Sequence, residues 1–313
     1  MMSLASRLQR FINAQPRAIA QALQKYCRSV PVGLPRRLPS LRRLHSHPYW
    51  IAIPVVLARR WSHTLATRGP RRAFLHDVLW AQYCLYLSVR IKDDLFDAQV
   101  GDRRMLPLAE LFHREAEEAL ARHFGERAEF WAHFRTHVLT SVKGIEEVDA
   151  LQRGEVLAPR AILRGFASTS SIFQIGATAV CLASGRGRAL PLIGTVANEL
   201  AIGTQIVDDV RDIVEDLKRG RFNYAARMLL KGKALRNATT KRVLQEVLDK
   251  LISPGPIEDV IEEAVRHFRR AHSLMTKLRL PELEVVPLVQ ETGAHMLVAE
   301  IHQRRVDRLF RQH

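Results

Sequence analysis

Two clusters of aspartates spaced for metal chemistry open the reading of this chain. "RIKDDLFD", residues 90–97, places Asp93, Asp94 and Asp97 at the end of an otherwise apolar stretch. At 100° per residue, Tyr83, Tyr86, Arg90, Asp93 and Asp97 fall within about 80° of one helix face. Acids at a helix C-terminus oppose the helix dipole, so a positive partner is required there. "QIVDDVRDIVED", residues 205–216, repeats the construction, with Asp208, Asp212 and Asp216 at four-residue spacing. Gln205 and Asp209 lie inside the same arc of about 100°. Ala197, Ala201 and Thr204 precede them on that face, and such a stripe of small residues is expected to leave room for a ligand. Two such faces opposed across a bundle repel unless cations bind. Hard oxygen donors at this spacing suit Mg²⁺, which takes one or two carboxylates, keeps some waters and commonly binds substrate phosphates. Against this stands the ordinary reading of acid pairs as solvated surface, opposed by the apolar flanks of both clusters and by their co-occurrence.

The elements that carry these acids read as helices. Residues 73–100 contain no Gly or Pro, and 195–219 contain only Gly203. Apolar residues recur at three- and four-residue intervals in both. Breaks are expected at "TRGP", "VGDRRMLP", "RGEVLAP", "SGRGRALP", "KRGRF", "ISPGP" and "RLPELEVVP", where Gly or Pro should stop a helix. No alternating strand and no internal repeat is found. The expected fold class is all-α: a single-domain antiparallel helical bundle over residues 46–313, preceded by a partly helical basic arm, 1–45.

Charge sets that arm apart. The chain has 313 residues and a formal charge of +16, from 48 Lys and Arg against 32 Asp and Glu. No acid precedes Asp77, while the first 76 residues hold 14 basic ones, so the remainder is nearly neutral. Three readings of the arm stay open: a surface for anionic lipid, an organelle transit peptide, and a solvated arm with no further role. If it is only an anchor, its deletion should spare turnover. Nucleic acid is excluded as a partner, because no stacking aromatics interleave the basic residues and no recognition motif accompanies them. With 47% apolar and 26% charged residues the composition is that of a soluble globular protein. No uninterrupted apolar run approaches the roughly 18 residues of a membrane span. Cys27, Cys84 and Cys181 are widely spaced, without metal-ligand or disulfide patterning, and read as reduced core thiols of a cytoplasmic protein.

"DDLFD" resembles the aspartate-rich first motif of the class I isoprenoid synthase superfamily, and "QIVDDVRDIVEDLKRGR" its second, about 110 residues later. The resemblance implies a helical bundle with a central active-site cavity, three Mg²⁺ ions and the diphosphate of an allylic isoprenoid bridging the two motifs. It assigns Asp93, Asp97, Asp208, Asp212 and Asp216 to metal, with Asp209 beside them and Asp94 one step further back. Arg90, Arg211, Lys218, Arg219 and Arg221 become diphosphate contacts, and Gln205 accompanies the second motif. Tyr83 and Tyr86 would face the isoprenoid tail. Arg164, 44 residues before Asp208, sits where cyclases carry a diphosphate sensor.

Subfamily motifs are mixed. "DDVRD" resembles chain-elongating prenyl transferases, "RDIVEDLKRGR" squalene and phytoene synthases, and the 208, 212, 216 spacing the metal triad of terpene cyclases. Elongating enzymes hold isopentenyl diphosphate with an early Gly-Lys-Arg, absent here, with a paired Arg that Arg103 and Arg104 resemble, and with a Lys-Thr pair that aligns with Ser168 and Thr169. The lost charge implies a single-substrate reaction. The expectation is therefore a terpene synthase (cyclase) acting on a C15–C20 or longer allylic diphosphate, with head-to-head coupling or atypical chain elongation as alternatives. Small Ser88 and Val89, one turn before the first motif, imply a deep pocket. "STSS", 168–171, marks either a helix break or small-residue packing. "HPYW", 47–50, aligns with an aromatic motif of the coupling enzymes. Peripheral membrane contact through the arm and a homodimer complete the expectations.

Overall fold

Twenty-six residues without Gly or Pro run as one helix, α4 (Arg71–Phe96), and its buried side sets the packing around it. The computed structural model describes residues 3–29, 41–67, 70–96, 105–152, 159–230 and 240–310. Every regular element among them is helical. They group into two compact units, Met1–Phe134 with Phe173–Leu190, and Arg135–Ile172 with Pro191–His313.

In the first unit, α4 packs along α5 (Met105–Phe124). Phe74, Val78, Leu85 and Leu87 of α4 and Leu108, Phe112 and Leu120 of α5 are sealed from solvent. Short α3 (Tyr49–Arg60) and α8 (Ile175–Ala183) pack with each other and with α4. Gly176 makes the approach to α4 close: its N–H donates to the buried Gln82 Oε1 at 2.8 Å, and a Cβ there would press on that oxygen.

The N-terminal segment belongs to this unit. Helix α1 (Leu4–Asn13) begins where Ser3 Oγ accepts from the Ser6 N–H, and α2 (Arg17–Ser29) follows at once. Leu4, Ile12, Leu23 and Tyr26 are buried, so the apolar faces of both helices are covered by protein. Phe11 stacks on Phe112 at 4.8 Å. Arg7 reaches Asp77 at 2.5 Å and Glu115 at 3.1 Å, and lies 4.7 Å above the Trp80 ring, whose Nε1 donates to the same Glu115.

The second unit is built on α9 (Leu190–Lys218), α12 (Pro256–Lys277) and α13 (Pro281–Phe310), with the rest of α6 (Ala128–Gln152), α7 (Pro159–Thr169), α10 (Tyr224–Leu229) and α11 (Thr240–Ile252). Gly203 lets α9 meet α12, since a Cβ would collide with the Phe268 ring. The break expected over 279–287 is narrower than the motif: Pro281 starts α13, where a missing N–H costs nothing, and Pro287 stays inside the helix. At "STSS" both readings hold. Helix α7 gives way to a 3-10 turn over Ser170–Gln174, and a Cβ on Gly144 would collide with the backbone of Ser168 and Thr169.

Two stretches, Arg160–Ala183 and Gly187–Lys218, are apolar enough on average to cross a bilayer, which a count of consecutive apolar residues missed because Ser, Thr and Gly interrupt them. The 67% and 50% of those windows buried within protein account for the composition as core.

Asp77 anchors α1 through Arg7. Burial alone would raise its pKa, but the His123 hydrogen bond at 2.9 Å and the Arg7 and Arg122 charges outweigh that and hold the carboxyl below its usual range. Its contribution is complete above the unfolded value of about 3.9 and is lost as pH falls through that value toward the lower folded one. Arg7→Ala should cost about 1–3 kcal/mol in urea unfolding. Asp77→Asn should flatten the acid limb of the stability profile.

Candidate active site

The C-terminal turns of α4 divide its acids. Asp93 is exposed, its side chain 59% accessible, whereas Asp94 is only 6% exposed. Asp94 Oδ2 accepts the Tyr26 hydroxyl of α2 at 2.7 Å, and its Oδ1 lies 3.1 Å from Arg90 Nη2. The Arg90 approach is a charge contact without hydrogen-bond alignment. The other guanidinium nitrogen of Arg90 lies 3.8 Å from Asp93. This cation is the positive partner that acids at a helix C-terminus require. Asp97 falls outside the described residues, as do Arg103 and Arg104.

One to two turns above, Tyr86 joins an aromatic group, its ring 5.2 Å from Trp50 and 6.3 Å from Phe173, with Trp50 and Phe173 at 5.7 Å. Tyr83 is buried, with its ring 6.1 Å from Tyr86, and burial raises both hydroxyls above their usual range. Ser88 is fully buried and Val89 half-buried. Trp50 ends the "HPYW" motif; Phe173 was not singled out from the sequence, where "STSSIFQIG" displays no periodic signal for it.

On α9 the second Asp-Asp pair is divided in the same way. Asp208 is half-exposed and pairs with Arg211 at 3.1 Å. Asp209 is 7% exposed: Gln205 Nε2 donates to its Oδ1 at 2.9 Å, and the Tyr224 N–H to its Oδ2 at 2.8 Å. Burial pushes its pKa up to about 7 against those two hydrogen bonds. Asp212 is exposed and Asp216 half-buried, the latter raised by burial. So Asp208, Asp212 and Asp216 keep an open face, while Asp209, grouped with them by wheel angle, turns into the protein.

The end of α9 folds back on its own acids. Gly220, at φ +76°, takes the left-handed conformation that glycine adopts without a Cβ penalty. The Arg221 N–H then returns to the Asp216 carbonyl at 2.8 Å and the Gly220 N–H to Leu217 at 3.0 Å. The Arg221 charge works against the rise that burial gives the Asp216 pKa. Arg219 pairs loosely with Glu215 at 3.7 Å, and Lys218 is exposed. Arg164 is exposed on α7. Asn223, which the sequence reading passed over, is the hub of the turn. Its Nδ2 donates to the Asp209 carbonyl at 2.8 Å and to Asp216 Oδ2 at 2.9 Å, and its Oδ1 caps α10 through the Ala226 N–H. An Asn just ahead of a short helix was the available signal.

The small residues above the acids do not leave the expected room at Thr204, whose Oγ1 accepts from Gln290 of α13 at 3.0 Å. Ala197 and Ala201 are buried. The stripe lets neighbouring helices approach, a role that small size serves as well as ligand space.

Among the described residues, no three acidic, His or Cys side chains converge to cage an ion. They offer instead exposed aspartates one helical turn apart, a donor set of hard oxygens that suits Mg²⁺ completing its shell with water and phosphate oxygens. Asn223→Ala should cost about 1–3 kcal/mol through the lost cap and the freed Asp216. In thermal unfolding, Asn223→Ser should recover the cap share alone.

No family model matches the chain, and no curated protein sequence does. Solved structures do. A decaprenyl diphosphate synthase from Rhodobacter capsulatus aligns over 95% of this chain and 95% of its own, with TM-score 0.66 and 11% identity. Heptaprenyl diphosphate synthase from Staphylococcus aureus aligns over 93% and 96%, with TM-score 0.64 and 14% identity. A geranylgeranyl pyrophosphate synthase from Lactobacillus brevis aligns over 93% and 99%, with TM-score 0.55 and 15% identity. With helices throughout the described residues, this chain shares the all-α fold of these prenyl diphosphate synthase structures.

Proposed function

We propose that the protein is a magnesium-dependent class I isoprenoid synthase of the prenyl transferase kind, which ionises an allylic prenyl diphosphate. What carries the reading is that the two acid-bearing helices of a prenyl-diphosphate-synthase fold each keep the leading aspartate of an Asp-Asp pair open to solvent. Asp93 of α4, Asp97 of the same sequence motif, and Asp208, Asp212 and Asp216 of α9 would hold Mg²⁺, which when bound neutralises charge on the departing diphosphate. Arg90, Arg211, Lys218, Arg219 and Arg221 would supply further positive charge, and Arg164, exposed on α7, is a further candidate. Gln205 and Asn223 orient Asp209 and Asp216. The rings of Tyr86, Trp50 and Phe173 offer an apolar surface for the tail, where aromatic faces favour a neighbouring carbocation and exclude water from it.

The cyclase expected from the sequence finds no support among structures named as heptaprenyl, decaprenyl and geranylgeranyl diphosphate synthases, and the reading moves to prenyl transfer. A single-substrate reaction remains the second reading on one observation. By the resemblance Ser168 aligns with the lysine that holds a second diphosphate in elongating enzymes, so that charge is missing here, and α6 packs closely against Ser168 at Gly144.

Purified protein incubated with Mg²⁺ and C10, C15, C20 or C25 allylic diphosphates, with and without isopentenyl diphosphate, decides by gas chromatography and mass spectrometry of the extracts. A longer prenyl product that needs isopentenyl diphosphate is the expected result. A hydrocarbon or alcohol from the allylic substrate alone selects the second reading, and a doubled carbon number selects head-to-head coupling. Asp93→Ala and Asp208→Ala should each lower turnover on the order of a hundredfold or more. No product under any condition overturns the proposal.

A further inference from the structure

We infer that Tyr26, on helix α2 of the basic N-terminal segment, is a positioning residue for the acidic end of α4: it holds Asp94 in place so that Asp93 and Arg90 keep their arrangement toward a magnesium-bound diphosphate. The inference rests on reading the end of α4 as one wall of that site, and it adds a residue 68 positions away in sequence.

The geometry leaves Asp94 little freedom. One carboxylate oxygen takes the Tyr26 hydroxyl at 2.7 Å and the other faces Arg90 at 3.1 Å. Arg90 is shared, because its second nitrogen approaches Asp93 at 3.8 Å. Without the tyrosine hydroxyl, a buried carboxylate oxygen loses its donor, and such a group recovers by drawing in the nearest cation or by turning toward water. Either response moves Arg90 relative to Asp93. The hydroxyl is suited to a fixed role, since burial first and Asp94 second hold it protonated far above neutral pH. It is also not what docks α2, because Leu23 is fully buried on the same helix and α1 is tied down separately through Arg7. Phenylalanine fills the same volume, so the hydroxyl can be tested without the packing. The arm's deletion is accordingly expected to abolish turnover, unlike that of a simple anchor.

The measurement is calorimetric titration of the full chain with inorganic pyrophosphate in the presence of MgCl₂, which reads binding and not turnover. Tyr26→Phe should weaken it on the order of tenfold, as loss of a partner behind a metal ligand does, with the helical circular-dichroism signal retained. The double variant Tyr26→Phe, Asp94→Asn should bind no more weakly than Asp94→Asn alone, because the tyrosine acts through that carboxylate. Arg7→Ala should lower the melting temperature and leave pyrophosphate affinity where it was. Wild-type or tighter binding by Tyr26→Phe overturns the inference, and so does a parallel loss of affinity in Arg7→Ala. If Asp93→Asn binds like wild type, or wild type does not bind, the reading of α4 as the wall fails and the inference falls with it.

Discussion

Taking an aspartate out of water costs several kcal/mol unless charge or hydrogen bonds replace what water supplied, and both acidic helices meet this constraint alike. In each Asp-Asp pair the trailing member is buried and compensated by protein, Asp94 by the Tyr26 hydroxyl and the Arg90 charge, Asp209 by hydrogen bonds from Gln205 and the Tyr224 backbone. The leading member, Asp93 or Asp208, stays open and half-neutralised by an arginine three residues away. Adjacent residues on a helix point about 100° apart, so a pair of neighbouring acids is a device for fixing one carboxylate by locking the other. The rest of each helix end serves that lock.

The two locks differ in where their partners come from. That of α9 is local: the left-handed Gly220 reverses the chain, and Asn223 and Tyr224 arrive within fifteen residues of Asp209. That of α4 is remote and needs α2 to be docked. Docking of α2 rests on buried Leu23, while α1 is tied down separately by Arg7, held among Asp77, Glu115 and the Trp80 ring. A basic segment that looks like an appendage by charge is thus bound by acids of the body, which is why the charge asymmetry of the sequence has a structural use.

The helical period made α4 and α9 legible, together with the face carrying Asp93, Asp208, Asp212 and Asp216, because that period depends on local geometry alone. It could not separate Asp208 from Asp209, which share an arc on the wheel. The difference lies in Asn223 and Tyr224, which bend back over one of them. Tyr26 was illegible for a different reason: no local pattern links a tyrosine to an acid 68 residues on. Small residues misled at Thr204, since a stripe that admits a ligand admits a neighbouring helix equally well, and Gln290 fills it. Ser168 and Thr169 could be read two ways, and the structure uses both, a break and a close packing.

The remote lock also sets an order of events during synthesis. Helices α1 and α2 leave the ribosome before α4 and α5, and until those follow they pack only with each other, without the partners that Phe11, Arg7 and Tyr26 later find. At roughly 5–20 residues per second, the 68 residues between Tyr26 and Asp94 correspond to about 3–14 s of translation during which a cationic, amphipathic hairpin is uncovered. A nascent chain of this protein therefore displays, for that interval, apolar side chains that the finished fold conceals.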